Sequence, residues 1–289
     1  MKRNLAAENL SQAGKRTLLT ASLVSAVGLI AAALALIRHL AVHGVFTPSE
    51  WGFVGSASSM EFLSSGAFDT FKVAVVASAC CFALAVGLGW ALASPSRVLE
   101  RTASTLVILS GSVPLIVILY LLDYLFPWHG FAPDAFVLLT AGIVASNVGP
   151  VAESFAAGVR SVDRSQRSTG LSLGLRPLQV EMLVVAPQGL RRMLPALVTN
   201  VVAIVKDTSL GFLVPYGDLL DHAQQLNVTQ GARAPLLATL SLAALFYVSV
   251  GLGGSRLAQR LEVRVDSGPV LRRRRSGFPV SWISVRTSR

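Results

Sequence analysis

Four consecutive polar side chains, Lys206, Asp207, Thr208 and Ser209, interrupt an otherwise apolar run of this sequence. A charged side chain at the centre of a hydrocarbon layer costs about 2.5–3.5 kcal/mol on insertion scales, so such residues usually have a partner or a use. Successive residues of a helix point about 100° apart, so Lys206 and Asp207 cannot both face one partner. The group therefore predicts either the lining of a path through a membrane or a structural bridge to another helix.

A second polar group lies in residues 159–200, an Arg-rich segment between long apolar runs. Gly170, Ser172 and Gly174 have the spacing of a hydrolase nucleophile elbow, but that motif needs a strand before the serine. A polar stretch ending in Thr169 precedes it instead, which argues against hydrolysis. The glycines more simply predict the end of one short helix and the start of another. A polar segment of this size between membrane spans indicates a docking site.

The sequence offers no other recognisable site for chemistry. It has no phosphate-binding loop of the form GxxxxGK followed by Ser or Thr, and so no ATPase site of that kind. Cys80 and Cys81 are adjacent in an apolar run and are predicted to be packing residues. No metal-ligand pair is formed on a helix face by the four histidines, His39, His43, His129 and His222. We therefore expect a chain that is not an enzyme and binds neither a metal nor a cofactor.

Membrane-spanning helices are the elements that must position these groups. Hydrophobic residues make up 53% of the chain and charged residues 14%, whereas a soluble domain carries about 25% charged residues. Only helices satisfy their own backbone in lipid, so the predicted fold class is all-α, an integral membrane bundle. Pro114 predicts a kink in the third of six apolar runs. These runs, each close to the ~20 residues that cross a bilayer, are 18–37, 70–93, 105–126, 133–152, 195–215 and 235–254.

The basic residues predict the orientation of the chain. Its formal net charge is +10, and 21 of its 25 Lys and Arg lie before the first run, in 94–104, in 153–194 or after residue 254. Basic loops normally stay in the cytoplasm, so we expect both termini and the 153–194 segment there. The first run is too long for a signal peptide and is expected to be a helix that stands apart. The tail should contact membrane lipid and, lacking aromatic platforms, no nucleic acid.

Residues 166–210 carry five anchors in a fixed order: Gln166, Leu173 with Gly174, Pro187 with Gln188, Leu194 with Pro195, and Lys206 through Leu210. With these anchors the chain resembles the permease subunit of an ATP-binding-cassette (ABC) importer, within the polar amino-acid, glutamate-type branch. The likeness covers roughly residues 66–258 and includes Gly111 to Leu115. Two positions depart from the family pattern. Ser168, Thr169 and Gly170 replace its E-A-A, so Ser168 cannot form the usual ion pair with the ATPase, and Ser110 replaces an Arg.

The resemblance implies a type I ABC importer permease in a prokaryotic plasma membrane. It divides the chain into an N-terminal part (1–65), a transport domain (66–258) with a coupling loop (153–194), and a basic tail (259–289). The implied partners are ATPase subunits that bind ATP and Mg²⁺, a second permease chain and an extracytoplasmic solute-binding protein. The implied substrate is a polar amino acid, with glutamate leading. An ion-gradient-driven transporter or channel subunit is the alternative, although such proteins usually show repeated halves.

The same resemblance assigns roles to both polar groups. It assigns contact with the ATPase to five residues of the coupling loop: Gln166, Ser168, Thr169, Gly170 and Gly174. It assigns the lining of the translocation path to four residues within the fifth run: Lys206, Asp207, Thr208 and Ser209.

Overall fold

A computed structural model describes residues 12–42, 48, 51–52, 55–128, 133–229 and 236–266. Its described residues contain helices and no strand, which confirms the all-α prediction. A π-helical turn, Glu181–Val185, and a 3-10 turn, Thr208–Leu213, adjoin the longer elements. The helices are α1 (Gln12–Val42), α2 (Ala57–Leu92), α3 (Arg97–Ser112), α4 (Leu115–Trp128), α5 (Ala135–Arg160), α6 (Arg164–Ser172), α7 (Pro177–Val180), α8 (Ala186–Asp207), α9 (Leu219–Thr229) and α10 (Leu236–Asp266). Most of the basic tail lies outside the described residues.

Five stretches of the described chain are long and apolar enough to cross a membrane, and a sixth is reached if α3 and α4 form one broken span. The two helices meet at an angle of 91°. Because Pro114 lacks an N–H, and because the residue before a proline avoids the helical region, Val113 is extended at φ −97° and ψ 123°. The predicted break at Pro114 is therefore confirmed, but it is larger than a kink, because it divides the run into two helices.

Helices also extend further into the polar connections than the sequence predicts. The turn expected at 94–104 is already helical from Arg97. Most of the coupling loop expected at 153–194 belongs to α5, α6, α7, the π-helical turn and α8. An apolar run marks the membrane-crossing part of a helix and misses the amphipathic ends. The helices predicted from such runs are therefore too short.

The described residues form two compact units. The first comprises those up to Asp69 together with Gly217–Leu245. In it, the His222 ring lies 4.3 Å from that of Phe62, and Nδ1 is 2.9 Å from the Asp218 carbonyl oxygen. A Cβ on Gly66 would come within 2.8 Å of the imidazole. The first unit thus uses His222 as a packing residue. The described side chains of α1, also in this unit, are exposed.

The second unit comprises Thr70–Tyr216 and the chain from Phe246. Its core is built of fully buried aliphatic side chains: Val73, Leu119, Leu139, Ile143 and Ile204. Its outer surface exposes apolar side chains such as Val75 and Leu252, as expected of a surface that faces lipid. The apolar residues on both sides of its helices explain why the chain is too hydrophobic for a soluble domain.

Helices α5 and α8 cross in the second unit where two glycines meet. A Cβ on Gly158 would lie 2.8 Å from the Gly189 carbonyl oxygen, and one on Gly189 would lie 3.1 Å from the Gly158 carbonyl oxygen. Small residues allow two backbones to approach this closely, which is how helices pack well in lipid. The crossing is important because α5 and α8 also carry both polar groups that the sequence singles out.

Candidate coupling surface and polar path

Helix α6 has a defined start and a defined end. At its start, Asp163 accepts a hydrogen bond of 2.9 Å from the backbone N–H of Ser165, and this bond holds the pKa of the Asp163 carboxyl below its usual range. At its end, Gly174 adopts φ +83°. The N–H groups of Gly174 and Leu175 donate to the carbonyls of Leu171 and Gly170, which is the Schellman arrangement. The predicted short helix that ends at Gly174 is therefore present.

The structure separates the five predicted coupling residues into two sets. Gln166, Ser168 and Thr169 are exposed on α6. Gly170 is buried, and a Cβ there would lie 3.0 Å from a methyl group of Val180, so Gly170 packs inward. Gly174 is exposed with no neighbouring atom within 4 Å of a Cβ, so its contribution is the shape of the turn.

Short polar contacts fix α6 to the rest of the second unit. The Arg167 Nε donates to Glu181 Oε1 at 2.9 Å, and Arg167 Nη2 donates to the Val159 carbonyl at 3.3 Å. The Arg192 guanidinium donates to the Ser161 carbonyl. Below these contacts lies a buried apolar cluster: Val159, Val162, Val180 and Val185. The segment from α6 to the π-helical turn therefore moves with the ends of α5 and α8.

The second polar group centres on a contact between α5 and α8. The Asn147 Nδ2 donates to Asp207 Oδ2 at 2.8 Å and also to the carbonyl of Ile143 at 3.0 Å. Asn147 is buried, and Asp207 is partly buried. The contact is a bridge between helices, one of the two possibilities predicted from the sequence. It satisfies a carboxylate that would be costly to leave unpaired.

The other predicted path residues do not converge on Asp207. Lys206 is exposed, and its Nζ lies 3.8 Å from the position of a Cβ on Gly251 of α10. The Thr208 hydroxyl is buried and donates to the carbonyl of Val205, while the Ser209 hydroxyl donates to that of Lys206. The predicted divergence of Lys206 and Asp207 is thus observed.

Sequence reasoning missed Asn147. The signal was available, because Asn147 is a polar amide within the fourth apolar run. Asn200 is a similar case, with its Nδ2 donating to Ser154 Oγ at 3.0 Å between α8 and α5. Ser110 stands where the ABC-importer permease pattern has an Arg. Its hydroxyl accepts a hydrogen bond from the Gly149 N–H at 3.1 Å and donates one to the Ser146 carbonyl. These side chains join α3, α5 and α8 through hydrogen bonds and form no ion pair with the described residues.

Comparison with known proteins gives a family match over residues 83–266, to the family described as binding-protein-dependent transport system inner membrane component. The chain belongs to this family. The match includes α6, the glycine crossing and both members of the Asn147–Asp207 contact, and it leaves out α1. Its membership and its several apolar helices make the chain a multi-pass membrane protein.

Two curated relatives and one solved structure illustrate the similarity. A probable glutamine ABC transporter permease protein of Bacillus subtilis is 28% identical over 73% of this chain and 98% of its own length. A glutamate transport system permease protein of Corynebacterium glutamicum is 23% identical over 79% of this chain and 84% of its own. A crystal structure of an amino acid ABC transporter with histidines matches 72% of this chain and 95% of its own chain. The TM-score of 0.63, at 22% sequence identity, shows a shared fold.

Proposed function

We propose that this chain is the permease subunit of an ATP-driven importer that carries a polar amino acid, with glutamate the leading substrate. The relatives named for glutamate and for glutamine support an amino-acid substrate. Glutamine is the competing substrate, because the two relatives differ on this point while both align over most of the chain. Neither substrate makes this chain an enzyme, since its role is to form the path.

The observation that carries the proposal is the exposed face of α6. Gln166, Ser168 and Thr169 lie on a short, capped helix whose base is held by one ion pair and an apolar cluster. A helix of this kind suits insertion into a groove on a partner. Because its base is continuous with α5 and α8, movement of α6 would be passed to the spans as a rigid-body shift.

The partner at this face is proposed to be an ABC ATPase subunit, which binds ATP and Mg²⁺ in place of this chain. A second permease chain, similar or identical, completes the path, and an extracytoplasmic solute-binding protein delivers the amino acid. ATP binding favours one arrangement of the spans only if the ATPase fits α6 differently in its two states. The coupling free energy therefore depends on the shape of the α6 face.

The proposed path runs along the side of α8 that carries Asp207. Asn147 holds one carboxylate oxygen of Asp207 at 2.8 Å. The carboxylate has a second oxygen, which can accept a hydrogen bond from an ammonium group of a passing amino acid. Lys206 is exposed on a different side of α8, so the proposal gives it a separate part of the path, where its ammonium group could meet a substrate carboxylate.

Uptake into proteoliposomes tests the proposal. The chain is reconstituted with the second permease chain and the ATPase subunits. The binding protein is added to the substrate side, and ATP to the other side. We expect labelled glutamate to accumulate only with ATP, and to be unaffected by proton and sodium ionophores. Uptake that proceeds without ATP and is abolished by ionophores would support the gradient-driven alternative. Competition by unlabelled glutamine, histidine and glutamate then ranks the substrates.

One substitution tests the coupling face directly. Ser168→Glu restores an acidic side chain where the resembling family has one, on an exposed position of α6. If the ATPase groove retains a basic partner, the variant should bind the ATPase more tightly, by up to about fivefold for one exposed ion pair. Ser172→Glu, at an exposed position one turn later, is the matched control. Equal effects of both substitutions would show a general charge effect and would count against a specific contact at Ser168.

A further inference from the structure

A deep apolar slot opens between α2, α5 and α8 in the second unit. Its volume is about 560 Å³. Aromatic and aliphatic side chains form its walls, among them Phe82, Val86, Trp90, Phe155, Val159 and Leu190. Leu190 is 48% exposed, so the slot is open at its side. Such a lining offers almost no hydrogen-bonding groups, and it does not suit a polar amino acid.

A basic pocket continues the slot at one end. This pocket has a volume of about 690 Å³ and shares Trp90 and Val159 with the slot. Three arginines and one glutamate supply its charges: Arg160, Arg164, Arg167 and Glu181. The formal charge of these side chains is positive, although the Arg160 guanidinium lies 3.7 Å from the half-exposed carboxylate of Glu100.

Among the three arginines of the basic pocket, Arg164 is the one whose guanidinium can still pair with a bound anion. Arg167 is paired with Glu181 at 2.9 Å, and Arg160 donates to the Leu92 carbonyl at the end of α2. The Arg164 side chain is exposed and makes no hydrogen bond or ion pair with the described part of the chain. A bound anion would therefore gain a full guanidinium partner at Arg164 and weaker contacts at its two neighbours.

The slot and the pocket together have the dimensions of half a bilayer. From Phe82 to Trp90 is eight residues, or about 12 Å along α2, compared with about 15 Å for half of a ~30 Å hydrocarbon layer. Trp90 lies where the apolar slot meets the charged pocket, and tryptophan is enriched at that depth of a membrane. The arginines belong to the side of the chain that the basic residues predict to be cytoplasmic.

We propose that the slot and the basic pocket bind one anionic phospholipid of the cytoplasmic leaflet. An acyl chain occupies the apolar slot, and the phosphate contacts Arg164 with help from Arg160 and Arg167. Charge complementarity at one end and an apolar lining at the other favour this occupant over a peptide, which would need partners for its backbone. Because Arg164 and Arg167 belong to α6, the lipid would contact the coupling helix.

Lipid retention tests this proposal without any transport measurement, so its failure would leave the proposed function untouched. The full-length chain is placed in nanodiscs of equal parts phosphatidylglycerol and phosphatidylcholine, extracted in mild detergent and analysed by mass spectrometry. We expect phosphatidylglycerol to be retained preferentially. Arg164→Gln should lower its retention by about fivefold, the effect of one arginine at an anionic surface. Arg191→Gln removes an equally exposed charge from α8 outside the pocket and should have little effect.

The apolar slot needs its own substitution. Val86→Phe partly fills the slot, whereas Val75→Phe enlarges an exposed side chain of the same helix outside it. We expect the first to reduce retained lipid and the second to leave it unchanged, with equal helicity in both. Equal retention of the two lipids by the unmodified chain would overturn the proposal, as would equal loss in Arg164→Gln and Arg191→Gln. Retention unchanged by Val86→Phe would show that no acyl chain enters the slot.

Discussion

The two polar regions of this permease, helix α6 and the Asn147–Asp207 contact between α5 and α8, are stabilised in opposite ways. Helix α6 is mostly exposed, with a capped start and a glycine turn at its end, and the Arg167–Glu181 ion pair holds it against the rest of the second unit. The Asn147–Asp207 contact lies within the bundle, where a single hydrogen bond joins a buried amide to a partly buried carboxylate. At an exposed surface several weak contacts together hold a helix in place. Inside the bundle the loss of a single hydrogen-bond partner is costly.

The glycine crossing connects these regions, and breaking it should have the largest effect. Gly158→Ala places a Cβ 2.8 Å from a backbone carbonyl oxygen of α8, which cannot rotate away. We expect a loss of about 1–3 kcal/mol from overpacking, with damage to both regions. Thermal unfolding in detergent measures it. Gly253→Ala, where a Cβ meets open space on α10, is the control and should be neutral or stabilising. Equal stability of the two variants would show that the crossing is loose.

Asp207 tests the buried region alone. Asp207→Ala removes one of the two acceptors of the Asn147 amide. It should lower the free energy of unfolding by about 1–3 kcal/mol and should reduce transport. Asp207→Asn keeps an oxygen that can accept from Asn147 but removes the charge, so stability should be nearly retained while transport falls. Stability and uptake are measured on the same preparation. If Asp207→Asn transports at the normal rate, the contact is a structural bridge only, and the carboxylate has no place in the path.

These two regions also differ in how far the sequence could predict them. The Schellman end of α6 was predictable because Gly174 is a local signal. The partner of Asp207 was not, because Asn147 lies 60 residues away and only the folded bundle brings them together. Pro114 was recognised as a helix breaker, but the 91° angle between α3 and α4 depends on packing that a local signal does not describe. The inward orientation of Gly170 was missed for the same reason.

Gly174 tests the exposed region alone. Gly174→Ala forces a side chain into φ +83°, at a cost of about 1–2 kcal/mol. Since no atom lies within 4 Å of the new Cβ, the cost is backbone strain and should act on α6 without disturbing the spans. Binding of the ATPase subunit, measured by co-purification, should weaken by up to about tenfold, while thermal stability falls by no more than this strain. Gly174→Asn, which tolerates this conformation better, should recover part of the loss. Equal binding by all three forms would exclude a role for this turn.

The smallest effect expected is a pH dependence confined to the start of α6. Asp163 has its pKa lowered below the ordinary value of 3.8 by the Ser165 N–H. A carboxyl with a lowered folded-state pKa contributes stability that is present above its unfolded pKa and is lost as pH falls through the folded one. Hydrogen exchange at the first turn of α6, corrected for the intrinsic rate, should therefore lose protection below about pH 3.8. Asp163→Asn can still accept the N–H bond but cannot titrate over this range, so its protection should not change there. Equal loss of protection in both forms would place the acid-sensitive group elsewhere in the segment.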